Sequence, residues 1–349
     1  MKRITTTLLL LGVFGGVTTP AAAASMGCDR QCLKSMMDTY VDALAHHDPS
    51  KLPLSKQVRF TENGAEIGFD EGLWATFNRF EDYRHDLMEP ATGGIASYFY
   101  ITENHLIPFP DLLMVRLKVV NRRITQIETV VDRHARAAGN MSHVDPAWTQ
   151  TMDRIEPPAT RLTREQLIKG AIGYMRAIAF HDGKQAPFAE SCIRLENGNV
   201  TATGPHDKSP VPMGGGPPIS KDAVPGLPAP PPPPDLMGLG CGAQADFLAY
   251  SFITGFEDAH FPVVDVDRQV VFATFDFMRR GDVESWTYKG ATYPMIEAMR
   301  YPNEILNTEF FKFVDGKISR VEAVFEGPQA YRRGTGWPGG TKPVSRPKP

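Results

Sequence analysis

Two stretches of the chain carry the same sequence pattern. Residues 40–64 read YVDALAHHDPSKLPLSKQVRFTENG, and residues 174–198 read YMRAIAFHDGKQAPFAESCIRLENG. They align without a gap at an offset of 134, and nine of the 25 positions are identical. Self-similarity of this kind indicates that one structural unit occurs twice. The identical pairs are Tyr40/Tyr174, Ala43/Ala177, Ala45/Ala179, His47/His181, Asp48/Asp182, Pro53/Pro187, Glu62/Glu196, Asn63/Asn197 and Gly64/Gly198.

A second match closes each copy. Residues 117–131 (LKVVNRRITQIETVV) align with residues 311–325 (FKFVDGKISRVEAVF), here at an offset of 194. The second copy has therefore gained 60 residues between the two matches. Most of the gain lies in residues 204–243, which are rich in glycine and proline and so favour extended chain over a packed core. We interpret this stretch as an inserted loop; a Pro-rich motif that binds a partner is the alternative.

The spacing of apolar residues predicts how each copy folds. Apolar side chains at three- and four-residue steps predict a helix at the start of each copy, with Tyr40 and Tyr174 on the buried stripe. Thr163 and Gln166 are spaced as a capping box for the second helix. Alternating β-rich segments around short turns then predict a closing hairpin in each copy. The predicted fold class is α+β. The hairpins pair residues 112–120 with 124–131 and residues 308–314 with 318–325.

The first residues resemble a secretory signal. Lys2 and Arg3 precede an apolar run over residues 8–14, and the small residues 21–24 offer a cleavage site. The run is shorter than the roughly 20 residues that span a bilayer. We therefore expect export to the periplasm or the medium. An uncleaved anchor and a lipidated Cys28 are the alternatives.

These features divide the chain into segments. Residues 1–24 are predicted to be a signal peptide and residues 136–161 a linker between the units. The tail is rich in glycine, proline and lysine, which predicts disorder. The remaining assignments are 25–135 for the first unit, 162–330 for the second unit with the insertion 204–243, and 331–349 for the tail.

Charge and cysteine content limit the partners. The net charge is −3, which argues against nucleic acid, since a nucleic-acid-binding protein needs a basic face. The four cysteines match no zinc pattern. Export permits disulfides, and a Cys192–Cys241 bridge would close a long loop, whereas a Cys28–Cys32 bridge would constrain little. Free or arbitrarily paired thiols remain the alternative.

The repeated motifs resemble a known superfamily. The run Tyr40-Val41-x-Ala43-Leu44 and the closing VNRRITQIE and VDGKISRVE resemble the first helix and last hairpin of nuclear transport factor 2-like proteins. These include SnoaL-like cyclases, scytalone dehydratase and ketosteroid isomerase. The chain also resembles an exported family without an assigned function. The resemblance implies two tandem cone-shaped units, each a curved antiparallel sheet packed on N-terminal helices around an apolar pocket, paired within the chain.

The resemblance also suggests site residues. Tyr40 matches a tyrosine of ketosteroid isomerase that donates a hydrogen bond to a developing oxyanion, and Tyr174 matches it in the second copy. Glu62 and Glu196 lie near the position of that enzyme's general base, whose pKa burial would raise. The plainer interpretations are core tyrosines and turn glutamates. Arg116 and Phe310 stand near the place of the enzyme's protonated acid, which has no clear counterpart here.

Two histidines complete the candidate set. His47 and His181 precede Asp48 and Asp182, and such a pair could act as a general base, since histidine titrates near neutrality. A histidine in the last helical turn also complements the helix dipole. The chain contains no nucleotide-binding, zinc-protease or serine-hydrolase motif, so neither a cofactor nor a metal is expected.

Two functional hypotheses follow. The first is a cofactor-free lyase, dehydratase or isomerase acting on a hydrophobic cyclic or aromatic compound. The second is a non-catalytic ligand-binding or scaffold protein of the cell envelope.

The signal sequence gives a direct prediction. Cleavage after Ala24 should leave Ser25 as the first residue of the exported protein, because small residues at 22 and 24 meet the A-x-A rule. N-terminal sequencing of exported protein checks this, and Met1 at the N-terminus would contradict it.

Overall fold

The computed structural model describes residues 27–104, 106–133, 141, 144, 146–203, 237–246, 250–288, 291–295, 297–329 and 334–347. The predicted signal peptide and residues 204–236 of the predicted insertion lie outside the described residues. None of the helices within the described ranges is both long and apolar enough to cross a lipid bilayer.

The first unit, residues 28–133, is a six-stranded sheet with one long helix. The helix α1 spans Arg30–Ala45 and a short helix α2 spans Gly72–Thr76. The strand order is β2-β1-β6-β5-β4-β3. The strands are β1 (Leu54–Glu62), β2 (Ala65–Glu66), β3 (Phe77–Glu89), β4 (Gly94–Glu103), β5 (Phe109–Val120) and β6 (Arg123–Asp132).

Helix α1 forms for the reason that its sequence predicts. Asp29 is the N-cap, and its side chain accepts a hydrogen bond from the amide of Cys32. The apolar stripe is fully buried, which contributes about 1.5–3 kcal/mol for each large side chain. The buried stripe consists of Leu33, Met37, Tyr40, Ala43 and Leu44.

The second unit, residues 160–329, repeats this plan. After a short helix α3 (Pro146–Asp153), the long helix α4 spans Arg164–Phe180, and its predicted capping box is confirmed. The sheet has the order β15-β9-β10-β13-β14-β7-β8, and a separate hairpin pairs β11 with β12. The elements are β7 (Phe188–Glu196), β8 (Asn199–Ala202), α5 (Gly240–Ala245), β9 (Gly255–Asp265), β10 (Val270–Arg279), β11 (Ser285–Tyr288), β12 (Ala291–Pro294), β13 (Asn303–Val314), β14 (Lys317–Gln329) and β15 (Val344–Ser345).

The α+β class and both closing hairpins are confirmed. Each sheet is mainly antiparallel, as expected, and contains one parallel pair: β1 pairs with β6, and β7 pairs with β14. The physical reason is topological: the strand after the long helix lies beside the last strand of the meander, and both run in the same direction. Each sheet is therefore mixed.

The two sheets pack against each other. Alternate side chains of each strand point to opposite faces of its sheet, so that in β5 Leu113 and Val115 pack with helix α1 while Leu112 and Met114 pack with the second unit. The shared core includes Tyr83, Leu87, Ala96, Tyr98, Leu112, Met114 and Val130 of the first unit and Val263, Val270, Phe272, Leu306, Phe310 and Val324 of the second.

Charged groups are buried along the same contact. Arg30 donates hydrogen bonds of 2.8 and 2.5 Å to the fully buried carboxylate of Asp265. Burial opposes ionisation of Asp265, yet the hydrogen bonds and charge of Arg30 hold its pKa below the usual range. Asp86 lies in strand β3 and Asp265 ends strand β9, and both carboxylates are paired with arginines, Asp86 with Arg84 and Asp265 with Arg30.

Both disulfides form, so the alternative of free thiols is wrong. Cys28 bonds to Cys32, and Cys192 bonds to Cys241. The second bridge ties helix α5 to strand β7. The end of the stretch interpreted as an insertion is thus folded, because helix α5 begins within it at Gly240 and Cys241 is fully buried.

The C-terminal tail differs from the disordered segment that its composition predicts. Thr335 is fully buried and donates a hydrogen bond to Asp258, and Val344–Ser345 adds a strand to β9. The indole of Trp337 lies between two guanidinium groups of the first unit, 4.4 Å from Arg59 and 4.6 Å from Arg116. We call residues 334–347 the strap, because they contact both units.

Removing the Trp337 indole should destabilise the protein. Trp337→Ala loses two cation–π contacts, each worth about 0.5–1 kcal/mol, so the free energy of unfolding should fall by about 1–2 kcal/mol. Urea denaturation measures this. Ile155→Ala, which truncates an exposed apolar side chain, is the control and should change stability by less than about 0.5 kcal/mol. Equal effects of the two substitutions would contradict the role of the strap.

Candidate functional site

A cavity opens at one end of the first unit. Its volume is about 400 Å³, within the range of small-molecule sites. It lies between helix α2, the end of β4 and the start of β5. The wall consists of Gly72, Ala75, Thr76, Glu103, Asn104, Phe109, Asp111 and Arg133.

Two carboxyl groups stand together in this wall. Glu103 is the last residue of β4 and Asp111 lies near the start of β5, in the antiparallel register that pairs Ile101 with Asp111. Asp111 alternates in phase with Leu113 and Val115, so its side chain is on the helix-facing side of the sheet. Glu103 and Asp111 are 2 % and 1 % exposed. The fold therefore brings two acids together in a nearly dry place.

The two acids share a proton at neutral pH. Burial, together with the hydrogen bond and the negative charge of Glu103, raises the pKa of Asp111 to about 8. Burial also opposes ionisation of Glu103, but hydrogen bonds from Arg133 and Asp111 keep its pKa below the usual range. Like charges at such short range cannot both ionise. Asp111 is thus the acid and Glu103 the carboxylate of the pair.

Arg133 connects this pair to Glu62. Its guanidinium donates a 2.7 Å hydrogen bond to Glu103 and another of 2.7 Å to Glu62. The other oxygen of Glu62 accepts a 2.9 Å hydrogen bond from the amide of Leu73 at the start of α2. Glu62 is 7 % exposed, so it is a buried partner of helix α2 and Arg133 rather than a free turn residue.

Gly72 lets the cavity wall approach Glu62. Its φ of +54° lies in the left-handed region, and an added Cβ atom would be 2.6 Å from a carboxylate oxygen of Glu62. Only glycine fits both conditions without strain. Glu62 therefore lies directly behind the wall of the cavity.

Tyr40 and His47 lie deeper in the same unit. Tyr40 is fully buried and meets Trp74 edge to face at 5.7 Å. Burial raises the pKa of Tyr40, and the negative charge of the nearby Glu62 adds to the rise. Nδ1 of His47 is 2.6 Å from the carbonyl oxygen of Trp74. The structure thus places Tyr40 near Glu62, and both residues lie outside the cavity wall.

The second unit has a different arrangement. Tyr174 is 2 % exposed, and burial and the charge of Glu309 raise its pKa. Burial and the charge of Glu196 raise the pKa of Glu309 well above its usual value. Arg194 is buried beside them, 3.3 Å from Glu196 and 3.2 Å from the hydroxyl of Tyr250. This cluster is closed over by helix α5, whose Gln244 accepts a hydrogen bond from Arg194.

His181 is unsuited to act as a base near neutrality. It ends helix α4 in the left-handed conformation, with a φ of +56°. Burial and the positive charge of Arg346 lower its pKa to about 4. A neutral His181 also supplies no charge to the helix dipole, so the expected electrostatic cap is absent at this residue.

The acid pair has no counterpart in the second unit. In the alignment of the two units Lys118 corresponds to Lys312, so Asp111 corresponds to Ile305. The pairings of β4 with β5 and of β10 with β13 have no register shift, so Glu103 corresponds to Arg279. The cavity chemistry therefore belongs to the first unit.

Sequence reasoning missed Glu103, Asp111 and Arg133. One signal was present: Asp111, Leu113, Val115 and Leu117 alternate, which puts an acid in phase with the core. Glu103 gave no such signal, since its contact with Asp111 depends on the length of the loop between the strands. Among the described residues, no group of three or more His, Cys, Asp or Glu side chains is placed to hold a metal ion.

The shared proton predicts a pH-dependent stability. Because the folded-state pKa of Asp111 lies above its unfolded value of about 3.9, the folded protein binds more protons between these values. The contribution of Asp111 to the free energy of unfolding is fully present below about pH 4 and is lost as the pH rises through about 8.

Asp111→Asn should remove this dependence. The difference in unfolding free energy between the wild type and Asp111→Asn should shift with pH in favour of the variant between about pH 4 and 8. Urea denaturation of both proteins at several pH values measures it. A difference that stays constant with pH would show that Asp111 is ionised normally.

Comparisons with known proteins give limited information on function. No match is found among curated proteins. Among solved structures, a putative hydroxylase, AclR, from Streptomyces galilaeus is 14% identical, with 35% of this chain and 94% of that chain covered and a TM-score of 0.27. A putative polyketide cyclase from Xanthomonas campestris pv. campestris is 12% identical, with coverage of 30% and 92% and a TM-score of 0.26. AusH from Aspergillus nidulans is 14% identical, with coverage of 35% and 91% and a TM-score of 0.25. With TM-scores below 0.5, these similarities do not bear on what this protein does.

A family model gives the assignment. It matches the chain twice, over residues 28–131 and residues 160–325, once for each unit. Together the two matches cover most of the chain, and the protein belongs to the family described as Domain of unknown function (DUF8021).

Proposed function

We propose that this is an exported protein whose first unit is a cofactor-free lyase, dehydratase or isomerase acting on a hydrophobic cyclic or aromatic compound. The observation that carries the proposal is the Glu103–Asp111 pair in the wall of a cavity of about 400 Å³. A protonated acid beside a carboxylate is the combination that proton transfer at carbon requires.

The two acids have separate roles. Asp111 gives its proton to a carbonyl or leaving hydroxyl oxygen of the substrate, and Glu103 takes a proton from the adjacent carbon. The electron pair of the broken C–H bond forms the new double bond. In an isomerisation, Glu103 returns the proton to another carbon and Asp111 regains its own. In a dehydration, the carbon–oxygen bond breaks, water leaves with the proton of Asp111, and the proton held by Glu103 then passes to Asp111 and restores the pair.

The surrounding residues hold this pair in place. Arg133 and the hydroxyl of Thr76 donate to Glu103 and keep it ionised. Glu62 anchors Arg133 from behind the wall, so Glu62 acts as a positioning residue. Tyr40 and His47 support helix α2 through Trp74. Such preorganisation is the main source of electrostatic catalysis.

A non-catalytic ligand-binding or scaffold protein of the cell envelope is the second candidate. It is favoured by the interior of the first unit, where Tyr40, Trp74 and Phe77 are 0–1 % exposed and fill the space that an apolar pocket would occupy. The cavity lies at one end of the unit, between helix α2, the end of β4 and the start of β5. A ligand held there without chemical change would fit this candidate.

Export and pairing of the units are part of the proposal. Export rests on the signal sequence, and the two disulfides are in keeping with an oxidising compartment. The shared core between the sheets supports a stable pairing of the units within one chain.

Exchange of hydrogen for deuterium beside a carbonyl tests the proposal. The protein should speed the exchange of α-protons of 2-tetralone and cyclohexanone in D2O, followed by proton NMR. Asp111→Asn and Glu103→Gln should each lower the catalysed rate by about 10²–10⁴-fold, the usual contribution of general acid–base catalysis. The rate should also fall above about pH 8, where Asp111 loses its proton.

An exposed acid of the second unit provides the control. Glu297→Gln removes a similar charge far from the cavity residues in sequence and should leave the rate unchanged. Ketones that bind but exchange at the buffer rate would favour the non-catalytic candidate. Undiminished exchange in Asp111→Asn would exclude this site.

A further inference from the structure

The loop between β4 and β5 exposes apolar side chains beside the cavity. Leu106 is 98 % exposed, Ile107 70 % and Phe109 39 %. Single exposed apolar residues are common, but three within four positions, two on the loop and one at the first residue of β5, are not explained by packing. We call Leu106, Ile107 and Phe109 the apolar rim.

The apolar rim is continuous with the cavity wall. Phe109 belongs to both, and Asn104, the residue after β4, also lines the cavity. Asp111 follows Phe109 by two positions on the same strand, so both side chains project to the same side of the sheet. A molecule whose polar end reaches Asp111 therefore has the apolar rim next to its other end.

In the second unit, the connection equivalent to the β4–β5 loop has a different structure. Between β10 and β13 the chain forms the β11–β12 hairpin, and Trp286 and Met295 are buried there, 8 % and 5 % exposed. Val283 and Met299 pack against them. These four apolar residues are thus packed together, whereas the apolar rim is left open to solvent.

We propose that the apolar rim binds the tail of an amphiphilic ligand whose oxygen-bearing head occupies the cavity. This rests on the proposed function, since it places the head at the Glu103–Asp111 pair. It adds a ligand class: a carbonyl or hydroxyl compound with an apolar chain too long for the cavity alone. Removal of tail and rim from water drives the contact.

A homologous series of phenyl alkyl ketones tests the length requirement. Affinity for ketones from acetophenone to octanophenone is measured by isothermal titration calorimetry. Each methylene buried on the rim should tighten binding about fourfold. In the wild type the affinity should keep rising through the longer ketones. In Leu106→Ser/Ile107→Ser the affinity should stop rising for the longer ketones, while the shortest ketones should bind as tightly as they do to the wild type.

Two further variants separate the rim from the head site. Val120→Ser replaces an exposed apolar residue at the β5–β6 turn and should leave the whole series unchanged. Asp111→Asn should weaken all members by a similar factor and keep the dependence on length. This pattern would establish a head site and a separate rim.

Other outcomes would overturn the proposal in distinguishable ways. If short ketones bind and longer tails give no gain in affinity, the role of the apolar rim is refuted and the proposed function is unaffected. If no ketone binds, both proposals are refuted. Binding of the wild type, but not of Leu106→Ser/Ile107→Ser, to phosphatidylcholine–phosphatidylglycerol vesicles without a length effect would assign the rim to a lipid surface instead.

Discussion

The packing of the two sheets against each other constrains the rest of this molecule. One face of each sheet is covered by the other unit, through a core that extends from Tyr83 and Tyr98 on one side to Phe272 and Phe310 on the other. The opposite face is covered by that unit's own long helix. Both faces of each sheet are thus buried, and the strand ends remain as the places where a ligand can enter.

The charged groups follow from this arrangement. Burying an ion is expensive unless it is paired, and here Asp265, Glu89 and Glu322 are each paired with an arginine. The Glu103–Asp111 pair is different, because it has one arginine, Arg133, for two neighbouring acids. Because there are fewer positive charges than acids, Asp111 holds a proton, and the cavity wall differs chemically from the paired charges between the two sheets.

Much of the fold is readable from the sequence because it depends on local patterns. The stripe containing Leu33, Met37 and Tyr40 predicts helix α1, and the repeat shows that the second unit follows the same plan. The parallel pairing of β1 with β6 is not local, since it joins residues far apart in the chain. The site is harder still: the pKa of Asp111 depends on how close Glu103 lies and how little water reaches either group. Composition predicts a disordered tail because it takes no account of single residues such as Thr335 and Trp337, whose side chains contact the second and the first unit, respectively.

The strap also has a consequence for how the chain is made. A ribosome produces the first unit before the second, and Trp337 follows strands β1 to β14 in the chain. The contacts of Trp337 with Arg59 and Arg116 therefore form only after all of these strands have been made. A chain interrupted after β14 would contain every strand from β1 to β14 and yet differ from the protein described here on the surface of the unit that was made first. The surface of the first unit is thus completed by residues that are synthesised after the second unit.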